Sequence, residues 1–170
     1  MACFSVASSV SFRDYSSLLK INQLNLLHGL FQEVLIPQAV YDELTLNPAF
    51  EKEAIQIKEC SFITKVEVGQ ESSVNLIQRV TGLDRGESEA IIYTDNKGAD
   101  LILMDEIKGR KVAVQMGLKV MGTLGILLEA YEQGLLSREE IFSGLDILKN
   151  SRRFISEALY KQLIEKINNR

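Results

Sequence analysis

Histidine is almost missing from this 170-residue chain: His28 is the only one, which excludes His-dependent triads and multi-histidine metal centres. Cysteine is as scarce. Cys3 and Cys60 are too few and too far apart in sequence for a disulfide framework or a zinc site, and neither has a neighbour that marks it as a nucleophile. Proline occurs only as Pro37 and Pro48, so little interrupts helices. No apolar run approaches bilayer-spanning length, and no membrane association is expected. Met1 to Val6 shows neither a basic leader nor a continuous apolar stretch, so it does not read as a signal peptide, and a cytoplasmic location is the default expectation. Positive charge is short too: 19 Lys and Arg against 23 Asp and Glu leave a net charge of −4. Neutralising phosphates normally supplies sequence-independent affinity, so RNA or DNA activity here requires a local basic patch or bridging metal ions. Gly122-Thr123-Leu124-Gly125 reads as a turn into a helix. It lacks the lysine and the glycine spacing of a phosphate loop.

What is present is the balance of a soluble globular protein, 46% hydrophobic and 25% charged. The length suits one sizeable core and is too short for two ordinary domains, so a single domain over 1–170 is expected, with helices from about 137 to 170 packing on the core or extending from it. Phe4 to Val10 is a weakly patterned opening strand. Ser16-Ser17 can cap a short helix, and Leu24, Leu26, Leu27 and Leu30 space a second one. Glu33 to Ile36 reads as a buried strand stopped by Pro37, followed by a helix over Ala39 to Leu44. A helix over Phe50 to Lys58 and a strand over Ile63 to Val68 come next. Asp84-Arg85-Gly86-Glu87 can open a helix to Lys97, with Gly98 as its stop. Leu101 to Met104 is an apolar strand with Asp105 at its carboxyl end. Glu106 to Met116 predicts a helix ended by Gly117, then a strand Leu118 to Val120 and a helix Thr123 to Glu132 ended by Gly134. Ser137-Arg138-Glu139-Glu140 is a capping box for a helix to Lys149, and Ser156 opens the last. This alternation predicts αβ units around a parallel sheet with helices on both faces and sites beyond the carboxyl ends of the strands.

The candidate chemistry is acidic. Glu43 lies on the helix after the Val34–Ile36 strand, Glu87 and Glu89 in the first turns of the Gly86 helix, and Asp105 and Glu106 at a strand end. Hard divalent ions such as Mg²⁺ or Mn²⁺ prefer oxygen ligands, and converging carboxylates supply them. Such ions support phosphodiester hydrolysis. Each residue also has a plainer reading: Glu87 completes the box begun by Asp84, Glu89 favours the positive end of its helix, Asp105 caps the Glu106 helix, and Glu43 is a solvated helix residue. Lys108, Arg110 and Lys111 are candidates for phosphate contact, or are the exposed face of a helix that turns Ile107, Val112, Ala113 and Met116 inward. Arg152 and Arg153 form a second basic spot with the same two readings, and His28 reads as a helix-surface residue.

Several segments together carry a family resemblance: Gly86-Glu87-Ser88-Glu89-Ala90-Ile91-Ile92, Ala99 to Glu106, Gly109-Arg110-Lys111-Val112-Ala113, Leu118 to Leu127, Lys20 to Leu24, Val34 to Leu44 and Phe154 to Tyr160. They resemble a PIN-like family of bacterial and archaeal proteins over nearly the whole chain. The resemblance implies a PIN-like three-layer α/β/α sandwich with a small, mostly parallel central sheet. It also implies a metal-dependent ribonuclease using Mg or Mn, often the toxin of a toxin–antitoxin pair, with RNA as substrate, a small antitoxin as partner, and homodimer formation. On this chain Asp105, Glu89 (or Glu87) and Glu43 would be the catalytic and metal-binding carboxylates, with Glu106 assisting and Lys108, Arg110 and Lys111 contacting RNA. One departure stands out. The family's first metal carboxylate falls on Ser11, a neutral and poor ligand, with Asp14 the nearest substitute and Arg13 able to act as a cation in place of the metal. The alternative expectation is therefore a catalytically degenerate PIN-like domain, its metal lost, that binds nucleic acid or a protein.

Overall fold

A computed structural model of the chain describes residues 7–10, 12–31, 33–48, 51–97, 100–150 and 157–168. Among these, five parallel strands form one sheet: β1 (Ala7–Val10), β2 (Glu33–Pro37), β3 (Ile63–Val66), β4 (Leu101–Leu103) and β5 (Val120–Met121), in the spatial order β3-β2-β1-β4-β5. β1 lies at the centre, with Ser9 opposite Leu35 on one side and Ile102 on the other. Parallel neighbours require crossover connections, and helices supply them. They are α1 (Phe12–Lys20), α2 (Asn25–Leu30), α3 (Gln38–Leu46), α4 (Glu51–Glu59), α5 (Glu71–Thr81), α6 (Arg85–Lys97), α7 (Ile107–Gln115), α8 (Thr123–Glu132), α9 (Arg138–Asn150) and α10 (Glu157–Asn168).

Alternation along β4 sorts the helices into two layers, because successive strand residues face opposite sides of a sheet. Leu101 and Leu103 enter a large cluster with Leu18, Leu27, Val34, Ile36, Ile126, Leu127, Leu145 and Leu163. Ile102 enters a smaller cluster with Leu83, Ala90, Ile91, Met104 and Ala113. Helices α1, α2, α8, α9 and α10 therefore cover one face, and α6 and α7 the other. A sheet covered on both faces reads as continuous apolar runs, which is why Leu101-Ile102-Leu103-Met104 and Val34-Leu35-Ile36 carry no polar interruptions. This is the expected three-layer α/β/α arrangement with a small parallel sheet. Leu145 and Leu148 of α9 and Leu163 and Ile167 of α10 are buried in the large cluster, so both C-terminal helices pack on the core.

Several expectations need correction. Ser16 and Ser17 do not cap a helix. They lie inside α1 and are buried. Ile107 is not turned inward, being 56% exposed, while Ala113 is buried and Val112 and Met116 are half-buried. Helix α5 was not expected; Val74, Leu76, Ile77 and Val80 lie on one side of it, with Val74 buried and Ile77 half-buried, whereas Leu76 and Val80 are exposed. It ends at Gly82, whose left-handed φ of 64° suits glycine. Leu24, Leu26, Leu27 and Leu30 are core residues. His28 is exposed and stacks on Phe62 with ring centroids 5.1 Å apart. Phe4 to Val6, Ser11, Gly98, Arg152, Arg153 and Ser156 lie outside the described residues, as do the side chains of Arg13 and Asp14.

Candidate functional site

The chain leaves β1 for β2 and β3 on one side of the sheet and returns to β4 and β5 on the other. The reversal places a crevice at the carboxyl ends of β1 and β4, where open parallel sheets bind ligands. Asp105 lies two residues beyond the end of β4 and stands at this point. Position 11 follows β1. Pro37 ends β2 and begins α3, which carries Glu43.

Asp105 is half-buried, and it does not cap α7, whose N-cap position is Glu106. Its carboxylate instead reaches α8. Oδ1 accepts the Thr123 N–H at 2.9 Å, and Oδ2 accepts the Thr123 hydroxyl. Gly122, which precedes Thr123, has no room for a side chain. A Cβ there would collide with Asp105 Oδ1 and lie 2.8 Å from Arg110 Nη1. Arg110 donates from Nη1 to the Met104 carbonyl at 2.8 Å and so clasps the end of β4.

Glu89 is buried at 4% exposure, and both its oxygens are engaged. Oε2 accepts the Ala39 N–H in the first turn of α3 at 2.9 Å, and Oε1 accepts from Arg85 Nε at 2.8 Å. The far side of the Arg85 guanidinium grips Glu71 through two bonds of 3.0 and 2.7 Å. That contact holds the Glu71 carboxyl below the usual carboxylate range, while the two carboxylates push the Arg85 pKa up. Glu87 and Asp84 form the reciprocal capping box read from the sequence. The Glu87 N–H bonds to Asp84 Oδ1 at 2.7 Å, and the Asp84 N–H bonds to Glu87 Oε2 at 3.2 Å. Glu43 is exposed, yet partial burial, and then the nearby Asp84 carboxylate, raise its pKa. The fold thus brings Glu43 to Asp84 and Glu89 to Arg85. Asp84, Arg85 and Glu71 were not among the residues singled out for the site. The capping-box pattern was the only signal for Asp84, and nothing in the local sequence marks Glu71.

Of the basic candidates, Lys108 donates to the Gly82 carbonyl at 3.0 Å, tying α7 to the end of α5. Arg110 is half-buried on the β4 carbonyl, and Lys111 is exposed. Glu106 is half-buried.

Among the described residues no three His, Cys, Asp or Glu side chains are grouped as ligands for a metal ion. The donor chemistry agrees. Arg85 already neutralises the Glu89 carboxylate, and Thr123 binds both oxygens of Asp105, so the arrangement as it stands is a poor fit to a divalent ion. Among the same residues no helix is long and apolar enough to cross a membrane.

A parallel α/β sandwich with a carboxylate at the switch point is the arrangement expected of the PIN-like class of folds. A family model for the PIN domain, domain of unknown function 3368, matches residues 16–169, and the chain belongs to that family. No curated protein matches it.

Proposed function

We propose that this chain is a PIN domain that binds RNA at the carboxyl-end crevice and has lost the metal centre needed to cleave it. The observation that carries this reading is the engagement of Glu89 and Asp105 by the protein's own donors, Arg85, Ala39 and Thr123. Ser11 at the remaining acidic position removes both a charge and a strong oxygen donor. RNA is the ligand class suggested by the family, and Lys111 is a cation of α7 open to a phosphate. With a net charge of −4, few phosphates are neutralised, so affinity should be modest and depend weakly on salt.

A second reading is metal-dependent ribonuclease activity, as the toxin of a toxin–antitoxin pair. It is favoured by the retention of Glu43, Glu89 and Asp105 at family positions, with Mg or Mn as the ion and a small antitoxin as partner. On that reading Asp105 is the central ligand, with Glu43 and Glu89 (or Glu87 and Glu106) beside it. A homodimer is expected on either reading, from the family resemblance.

Calorimetric titration of Mn²⁺ into the wild type and Asp105→Asn separates the two, with RNA retention and cleavage followed on the same samples. We expect no saturable Mn²⁺ binding, intact RNA, and RNA retention equal in both proteins. Saturable binding lost in Asp105→Asn together with Mn²⁺-dependent cleavage overturns the binding-only reading. No RNA retention by either protein overturns RNA as the ligand.

A further inference from the structure

Two helices at the crevice start from residues whose side chains cannot cap them. Helix α3 starts from Pro37 and α8 from Gly122, and neither N-cap residue makes a side-chain capping bond. Proline offers no side-chain acceptor and glycine has no side chain, so first-turn amides that the helix cannot satisfy need an acceptor from elsewhere. The acceptors arrive from distant sequence. Glu89 Oε2 takes the Ala39 N–H from 50 residues away, and Asp105 Oδ1 takes the Thr123 N–H from 18 residues away. A carboxylate at each positive helix end also suits the helix dipole.

Glu89 is the more demanding of the two, because a charge at 4% exposure is costly unless paired and hydrogen-bonded. Arg85 supplies the countercharge at 2.8 Å, in an i,i+4 pair on one helix. Its guanidinium is held in place by the two-point contact with Glu71, a geometry that lysine does not reproduce. A metal ion at the same carboxylate would stand beside this guanidinium and be repelled by its positive charge.

We infer that Glu89 and Asp105 serve as long-range N-caps of α3 and α8, and that Arg85 takes the place of a bound cation at Glu89, making the acidic crevice complete without a metal. This rests on the reading that these carboxylates no longer serve an ion.

The test is urea unfolding of the full chain in EDTA and in excess Mn²⁺, for wild type, Arg85→Met, Glu89→Gln and the double variant. The wild-type midpoint should be the same in both buffers. Each single variant should raise the unfolding equilibrium constant roughly five- to thirtyfold. The double should be little worse than the worse single, because both changes break one pair. The inference is overturned by a Mn²⁺-induced rise of the wild-type midpoint that vanishes in Glu89→Gln. It is equally overturned by single effects that add, or by variants as stable as the wild type. Should Glu89→Gln not fold, Arg85→Lys decides: its loss in EDTA should persist in Mn²⁺, and restoration by the ion sinks the assignment. RNA retention on the same samples keeps the two proposals apart. No retention with the expected midpoints rejects only the RNA reading. Single effects that add, with no response to Mn²⁺ and RNA retained, reject only the cap assignment, whereas Mn²⁺-dependent stability rejects the loss of the metal centre together with it.

Discussion

Replacing Asp105 by alanine and by asparagine should have sharply different effects on stability. In the wild type the Thr123 amide gives its hydrogen to Asp105 Oδ1 at 2.9 Å, and the Thr123 hydroxyl bonds to Oδ2. Thr123 is buried at 4% exposure, so water does not readily replace a lost acceptor. Alanine removes the side chain that caps α8, a loss of about 1 kcal/mol. It also takes an acceptor from a buried donor, a cost of about 1–3 kcal/mol. The two overlap, and about 2–3 kcal/mol in total corresponds to roughly 30- to 150-fold in the unfolding constant. Asparagine keeps a carbonyl oxygen for the amide and offers an NH₂ group to the threonine oxygen, so its cost should stay below about 1 kcal/mol. Urea unfolding followed by far-UV circular dichroism, with both variants at one pH and one salt, reads the difference. Equal losses for alanine and asparagine would refute the capping argument, since the carboxylate charge and not the acceptor would then matter.

Two further outcomes are expected. Ile126 on α8 is fully buried in the large cluster, so Ile126→Ala should cost about 2–5 kcal/mol, measured by the same unfolding assay. A loss under about 1 kcal/mol would mean that this face of the sheet is loosely packed. Glu43 has a raised pKa in the folded chain, from burial first and then from Asp84. An acid with a raised folded pKa opposes folding when ionised: the penalty is full above its folded value and absent below the ordinary value of 4.5. Glu43→Gln should therefore be more stable than wild type at neutral pH, with the gap closing as the pH falls to that value. A gap independent of pH contradicts the assignment.

Much of the architecture follows from local pattern. The apolar runs at Val34–Ile36 and Leu101–Met104 read as strands buried on both faces, and a chain alternating such strands with helices builds a parallel sheet. Capping boxes at Asp84–Glu87 and Ser137–Glu140 were readable because donor and acceptor lie three residues apart in sequence. Asp105 was legible as a strand-end residue because it directly follows the apolar run Leu101–Met104, whereas the switch point depends on the strand order. The element that escaped, α5, has an apolar side of only four residues, Val74, Leu76, Ile77 and Val80, and two of them, Leu76 and Val80, face solvent.

The partners of the acidic residues belong to the tertiary structure alone. Nothing near Glu89 in sequence names Ala39, and nothing near Asp105 names Thr123 or Gly122. Those contacts exist because β2 and β5 end beside the same crevice and deliver α3 and α8 with uncapped first turns. Local sequence therefore determined where carboxylates stand along the strands and helices of this protein. Only the folding of distant segments onto one edge of the sheet decided which donors those carboxylates meet, because a hydrogen bond depends on separation in space and not along the chain.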